Sequence, residues 1–113
     1  MQQLRVDAVA ALVRTCAAQG LHPVLLDVRE PWEIATARIV LDGAASVTIP
    51  MQQIPARLAE IDRDQPILAL CHHGMRSQQV ALFLEAQGYP SVYNIAGGID
   101  AWSRQVDPRV PVY

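Results

Sequence analysis

The chain has 113 residues, of which 51% are hydrophobic and 18% charged, and its net charge is −2 at pH 7. This length and composition predict a single domain, residues 1–113, that buries a core and is not disordered. The charge provides no basic stripe for nucleic acid, and no apolar run is long enough to span a bilayer, so we expect neither partner. The first residues contain no apolar signal segment, so we expect a soluble, cytoplasmic protein.

The first predicted elements are a short edge strand at residues 4–6 and a helix that ends near Gly20. Asp7 is placed to cap this helix. Cys16 shares the apolar stripe of the helix, so we predict that it is buried in the core. Since this leaves Cys71 without a disulfide partner, a reducing compartment is the better fit.

The middle of the chain contains two more predicted strands. Residues 24–26 form a continuous apolar run, typical of a strand covered on both faces, and Asp27 follows it. Pro31 is placed to begin a short helix, and residues 36–46 have no clean period, so we predict an irregular connection there. A strand at 47–49 is then followed by a helix with Pro55 in its first turn.

The apolar run at residues 67–70 predicts a further strand, which leads through a tight loop into a helix that runs to Gly88. Ser77 is the predicted N-cap of this helix. A fifth strand at 92–95 is followed by a Gly97-Gly98 turn, a helix and an extended tail. Strands that alternate with helices predict an α/β fold: a mostly parallel sheet of about five strands with helices on both faces.

Cys71 opens the loop after the fourth strand, at the sheet edge where open α/β folds bind their ligands. Backbone N–H groups, the positive end of a helix dipole and Arg76 there favour the thiolate, which predicts a nucleophilic cysteine. The alternative is a small apolar residue that ends a buried strand, but Gly74 and Arg76 have no packing reason to follow one. We expect Asp27 and Arg29 at the same edge, as candidates for supporting the loop. Arg29 and Glu30 are alternatively a surface ion pair of little energy.

His72 and His73 follow the cysteine, and consecutive residues of a tight loop rarely converge on one ion. We therefore predict no metal site, and the chemistry of a nucleophilic thiolate demands no organic cofactor. Either histidine is a candidate for pairing with the thiolate or meeting an acceptor, and exposure at the loop tip is an equal alternative. Trp32 and Trp102 are predicted to serve packing.

Three stretches together resemble a single-domain rhodanese, and they occur in that family's order: residues 27–33, 71–77 and 94–102. The resemblance implies a thiosulfate-type sulfurtransferase, in which Cys71 accepts a sulfane sulfur as a persulfide and passes it to a thiol, protein or cyanide acceptor. It also implies that Arg76 attracts a small anionic sulfur donor. The loop residues that would bind this donor are His72, His73, Gly74, Met75, Arg76 and Ser77. Residues 37–46 depart from the family pattern, which leaves substrate choice open.

Two other functions fit a cysteine loop before a helix. Phosphatases and arsenate reductases resemble it, but they place five residues between the cysteine and the arginine, whereas four separate Cys71 from Arg76. The shorter loop suits a cradle around one sulfur atom. The second alternative is a persulfide carrier or binding module that is served by a protein partner and has little activity on thiosulfate.

Overall fold

The computed structural model describes residues 1–113 and contains one five-stranded sheet. Its strands lie side by side in the order β1-β5-β4-β2-β3, and every neighbouring pair is parallel. The sheet predicted as mostly parallel is thus parallel throughout, and β1 is an edge strand as expected. The strands are β1 (Gln2–Arg5), β2 (Val24–Asp27), β3 (Ala45–Thr48), β4 (Ile67–Leu70) and β5 (Val92–Ala96).

The continuous apolar runs form the strands that are buried along their whole length, β2 and β4. Their side chains alternate between the two faces of the sheet, so that Leu26 and Ala69 join one core cluster while Leu25 and Leu68 join the other. Both faces are therefore covered, as the uninterrupted apolar pattern predicted.

Helices cover the two faces, as predicted. Residues of the first and fourth helices lie in one core cluster, and residues of the third lie in the other. Cys16 is buried, also as predicted. No helix combines the length and the apolar composition that a membrane span requires. The helices are α1 (Val9–Ala18), α2 (Pro31–Thr36), α3 (Met75–Ala86) and α4 (Gly98–Gln105).

The helix predicted around Pro55 is wrong in type. Two 3-10 segments, Met51–Gln53 and Pro55–Glu60, occupy the region. Pro55 has no N–H for the bond that an α-helix would direct to the carbonyl of Met51, and the N–H of Ile54 donates to that carbonyl at 3.3 Å instead. The backbone therefore closes only short three-residue turns.

The predicted cap of the first helix is also wrong. The segment Val6–Ala8 forms a 3-10 turn before α1, and Ala8 stands at the N-cap without a side-chain hydrogen bond. Asp7 instead pairs with Arg5 on the surface at 2.9 Å. The irregular connection is present as expected, although β3 already begins at Ala45.

Candidate active site

Cys71 directly follows β4, and only 1% of its surface is exposed. The loop turns at Gly74, whose φ of +102° lies in the left-handed region, and α3 begins at the next residue. Gly74 is therefore the N-cap, and the prediction of Ser77 in that role is wrong. Since α3 already starts at Met75, Ser77 falls in the first helical turn, where it is fully buried.

Two groups contact the sulfur of Cys71. The N–H of Gly74 donates to Sγ at 3.0 Å, and the hydroxyl of Ser77 lies 3.2 Å from it. Both come from the start of α3, so the helix N-terminus is directed at the thiol, where it favours negative charge. The other loop residues do not hydrogen-bond the sulfur, and Met75 is 77% exposed.

A second loop supports the cysteine loop from beneath. At the start of α4 the N–H of Ile99 donates to the carbonyl of Cys71 at 2.9 Å, and the N–H of Asp100 donates to that of His72 at 3.0 Å. A Cβ on Gly98 would lie 2.5 Å and 2.4 Å from these two carbonyl oxygens. Only glycine fits here, and the predicted Gly97-Gly98 turn thereby also fixes the loop of the cysteine.

Arg76 forms a two-bond ion pair with Glu33 of α2, at 2.7 and 2.8 Å. The pair, with a smaller contribution from the N–H of Glu30, lowers the pKa of the buried Glu33 carboxyl from 4.5 to about 2. The same hydrogen bonds raise the pKa of Arg76. The role of Glu33 was not predicted from the sequence. The available signal was its place three residues after Glu30, which is the spacing of a capping box, and the structure contains that box.

Asp27 and Arg29 reach the expected edge of the sheet, but they bind each other. The carboxylate of Asp27 accepts bonds from the Arg29 guanidinium at 2.8 and 2.9 Å and makes none to the cysteine loop. Arg29 is fully buried, so the surface pair with Glu30 is wrong. Its guanidinium also donates to the carbonyl of Ala37 at 2.8 Å. Burial alone would lower the pKa of Arg29, but the bonds to Asp27 and Tyr113 raise it above its usual value.

Tyr113 returns from the extended tail to this site, which the sequence did not indicate. Its ring stacks on His72 with centroids 3.9 Å apart, and its carbonyl oxygen lies 2.6 Å from His72 Nε2. Its hydroxyl donates to Glu33 at 2.7 Å and accepts from Arg29 at 3.0 Å. Of the two histidines, His72 is half-buried, whereas His73 is exposed.

Most of the remaining aromatic and titratable side chains near the site pack against or bond other residues of the chain. Trp102 is buried as predicted, while Trp32 is 65% exposed and meets Tyr113 edge-on. Ligand atoms of His72, His73 and Asp100 lie within 4.8 Å of one another. Asp100, however, pairs with Arg104 at 3.1 Å, and Nε2 of His72 is bonded to the tail. We therefore assign no metal site to this cluster.

Comparisons with known proteins agree on one family. The model of the Rhodanese-like domain matches residues 6–105. A protein named sulfurtransferase from Allochromatium vinosum is 40% identical over 77% of this chain and 78% of its own length. The chain spans only 30% of a rhodanese-like/PpiC domain-containing protein of Arabidopsis thaliana, to which it is 41% identical over 79% of its own residues. A rhodanese-like domain protein from Staphylococcus aureus superposes with a TM-score of 0.75 at 26% identity, covering 100% of this chain and 99% of that one.

Proposed function

This chain belongs to the rhodanese-like domain family, and on that premise we propose that it transfers sulfur through a persulfide on Cys71. The proposed donor is thiosulfate or a similar small anion, and the acceptor is a thiol or cyanide. The observation that chiefly supports this proposal is the convergence of the Gly74 N–H and the Ser77 hydroxyl on one sulfur atom at the carboxyl end of β4. The name of the Allochromatium vinosum relative, sulfurtransferase, at 40% identity agrees with it.

The chemistry consists of two displacements at sulfur. The Cys71 thiolate attacks the outer sulfur of thiosulfate, a new S–S bond forms, and sulfite leaves with the electron pair of the broken S–S bond. An acceptor thiolate or cyanide then attacks the outer sulfur of the persulfide and returns the electron pair to Cys71 as thiolate. Hydrogen-bond donors beside the sulfur stabilise the Cys71 thiolate that begins and ends this cycle. The electrons balance without a redox cofactor or a metal.

Arg76 is proposed to attract the anionic sulfur donor. Its side chain is 36% exposed, so an anion can approach it. Because Glu33 neutralises much of its charge, we expect the attraction to be weaker than that of an unpaired arginine. Both cysteines are free, which agrees with a reducing compartment, and the cytoplasm stays our predicted location.

Steady-state kinetics with thiosulfate and cyanide test the proposal. We expect ping-pong behaviour, complete loss of thiocyanate formation in Cys71→Ser, and retained turnover in the matched control Cys16→Ser, since Cys16 is buried in α1. Turnover by Cys71→Ser would refute the role of this cysteine. Hydrolysis of an aryl phosphate without any thiocyanate formation would instead place the protein with the cysteine phosphatases.

The pairing of Arg76 with Glu33 favours one alternative, the persulfide carrier, because it reduces the positive charge that a free anionic donor would meet. A small-molecule persulfide and thiosulfate, each supplied alone, separate the two functions. A carrier takes up sulfur from the persulfide and very slowly from thiosulfate, whereas the proposed enzyme uses both within the time of its turnover.

A further inference from the structure

Asn94, in β5, contacts both residues that donate to the sulfur, although it lies outside the cysteine loop. It is 1% exposed. Its Oδ1 accepts a bond from the Ser77 hydroxyl at 2.5 Å, and its Nδ2 donates to the carbonyl of Gly74 at 3.1 Å. One amide side chain thus holds Ser77 at one end and Gly74 at the other.

The surroundings of Asn94 fix the orientation of this amide. Its Nδ2 faces two acceptors, the Gly74 carbonyl and Oε1 of Gln3 at 2.9 Å. The Gly74 carbonyl can only accept, so a flipped Asn94 amide would direct its oxygen at another acceptor, and Oδ1 must therefore face Ser77. The backbone of Asn94 is paired on both sides, with Gln3 in β1 and with Ala69 in β4. The amide is therefore anchored to the rigid sheet just below the loop.

Ser77 has one hydroxyl proton and two acceptors, Oδ1 of Asn94 and Sγ of Cys71. While Cys71 is a thiol, its S–H can donate to Ser77 Oγ, and Ser77 then donates to Asn94. When the sulfur is an anion, rotation about the C–O bond turns the same proton towards the sulfur, and the Ser77 oxygen then draws back slightly from Oδ1 of Asn94, which no longer receives a proton. A serine inside a helix can otherwise rotate to bond a carbonyl of the preceding turn, away from the sulfur. Asn94 opposes that rotation while Cys71 is a thiol, so the hydroxyl already lies beside the sulfur when the thiol loses its proton.

We propose that Asn94 is a positioning residue that keeps the Ser77 hydroxyl within reach of the sulfur and secures Gly74 at the other contact. The inference rests on the proposed function in that the sulfur it serves is the proposed nucleophile. It extends the site from the cysteine loop to the central sheet.

The test is a double-mutant cycle in which two rates are measured for each variant: alkylation of Cys71 by iodoacetamide and sulfur uptake from thiosulfate. Asn94→Ala should slow both by about tenfold, because a Ser77 hydroxyl that has turned away no longer supplies its hydrogen bond to the sulfur anion. In a Ser77→Ala background the same change should slow them by less than about threefold, because only the support of Gly74 remains to be lost. A full tenfold effect in both backgrounds, or an unchanged or faster rate in Asn94→Ala, would overturn the inference.

The matched control is Ser103→Ala. Ser103 is buried as well, but its hydroxyl bonds only the carbonyl of Ile99 in its own helix. This variant should lose some stability in thermal unfolding while keeping both rates within twofold of those of the unaltered protein. A slowing as large as that of Asn94→Ala would mean that any loss of buried polar contacts suffices, which also contradicts the inference.

Asn94→Asp keeps the size of the side chain, and its protonated carboxyl can still donate to the Gly74 carbonyl, so measurements at low pH guard against a failure of Asn94→Ala to fold. Its carboxylate would retain the proton of Ser77 and repel an anionic sulfur, so both rates should fall further at neutral pH. The ratio of each variant rate to that of the unaltered protein should rise as the pH falls and the carboxyl becomes protonated. A ratio that does not change with pH would contradict the role. If the unaltered protein takes up no sulfur, the proposed function fails, while the alkylation rates still decide the role of Asn94.

Discussion

Replacing Glu33 by Gln should destabilise the protein in a pH-dependent way. Glu33 is buried, accepts bonds from Arg76 and Tyr113, and links α2 and the tail to the cysteine loop. Its pKa falls from 4.5 to about 2 on folding. At about 1.4 kcal/mol per pH unit this corresponds to roughly 3 kcal/mol. Because Arg76 is about a third exposed and thus partly screened by water, we expect about 1–3 kcal/mol.

The direction of this pH dependence follows from the lowered pKa of Glu33 in the folded state. The folded state holds the carboxylate ionised at lower pH than the unfolded state does, so its stabilisation is complete above about pH 4.5 and is lost as the pH falls towards 2. Glu33→Gln should therefore be less stable than the unaltered protein at pH 7, and this difference should shrink steadily below pH 4.5.

Urea unfolding followed by tryptophan fluorescence at pH 7, 5 and 3 measures this difference. The matched control is Glu60→Gln, which removes an exposed pair with Arg57 and should change stability very little. A Glu33→Gln variant that is as stable as Glu60→Gln at pH 7, or that loses as much stability at pH 3 as at pH 7, would refute this role of Glu33.

Three further predictions concern contacts around the site. Gly98→Ala should slow sulfur transfer and should destabilise the fold more than the control Gly20→Ala does. Both glycines have a positive φ, but of the two only a Cβ on Gly98 meets backbone atoms. Equal losses of stability in unfolding assays would contradict this. Tyr113→Phe keeps the ring but loses the hydroxyl bonds, so we expect a loss of about 1 kcal/mol in urea unfolding, and no change would show that these bonds do not stabilise the site. Arg76→Ala should raise the thiosulfate KM several-fold more than it slows transfer from a preformed persulfide; an unchanged KM would limit Arg76 to holding Glu33.

The parts of the fold that follow from burial alone were predictable. The apolar runs of β2 and β4 indicated strands covered on both faces, and this placed Cys71 at the carboxyl edge of a parallel sheet. Local turn chemistry was harder to predict, because Gly74 and Ser77 are both acceptable N-caps. Only the folded backbone, in which α3 already starts at Met75, decides between them.

The contacts that the sequence did not indicate join residues far apart in the chain. Glu33 meets Arg76, Tyr113 stacks on His72, and Asn94 holds Ser77. A carboxylate, a tyrosine and an amide each have many acceptable environments, so residue type alone does not identify their partners. Asp27 illustrates the same limit: its position at the sheet edge was predictable, whereas its pairing with Arg29 depends on how the chain turns after β2.

Intact-mass measurement after incubation with thiosulfate tests the central claim most directly, because it detects the persulfide itself. The unaltered protein and Cys16→Ser should each gain the mass of one sulfur atom, which added cyanide or dithiothreitol should remove, and Cys71→Ser should gain none. A persulfide on Cys71 is contradicted if the unaltered protein gains no sulfur from either thiosulfate or a small-molecule persulfide, or if Cys71→Ser gains as much as the unaltered protein.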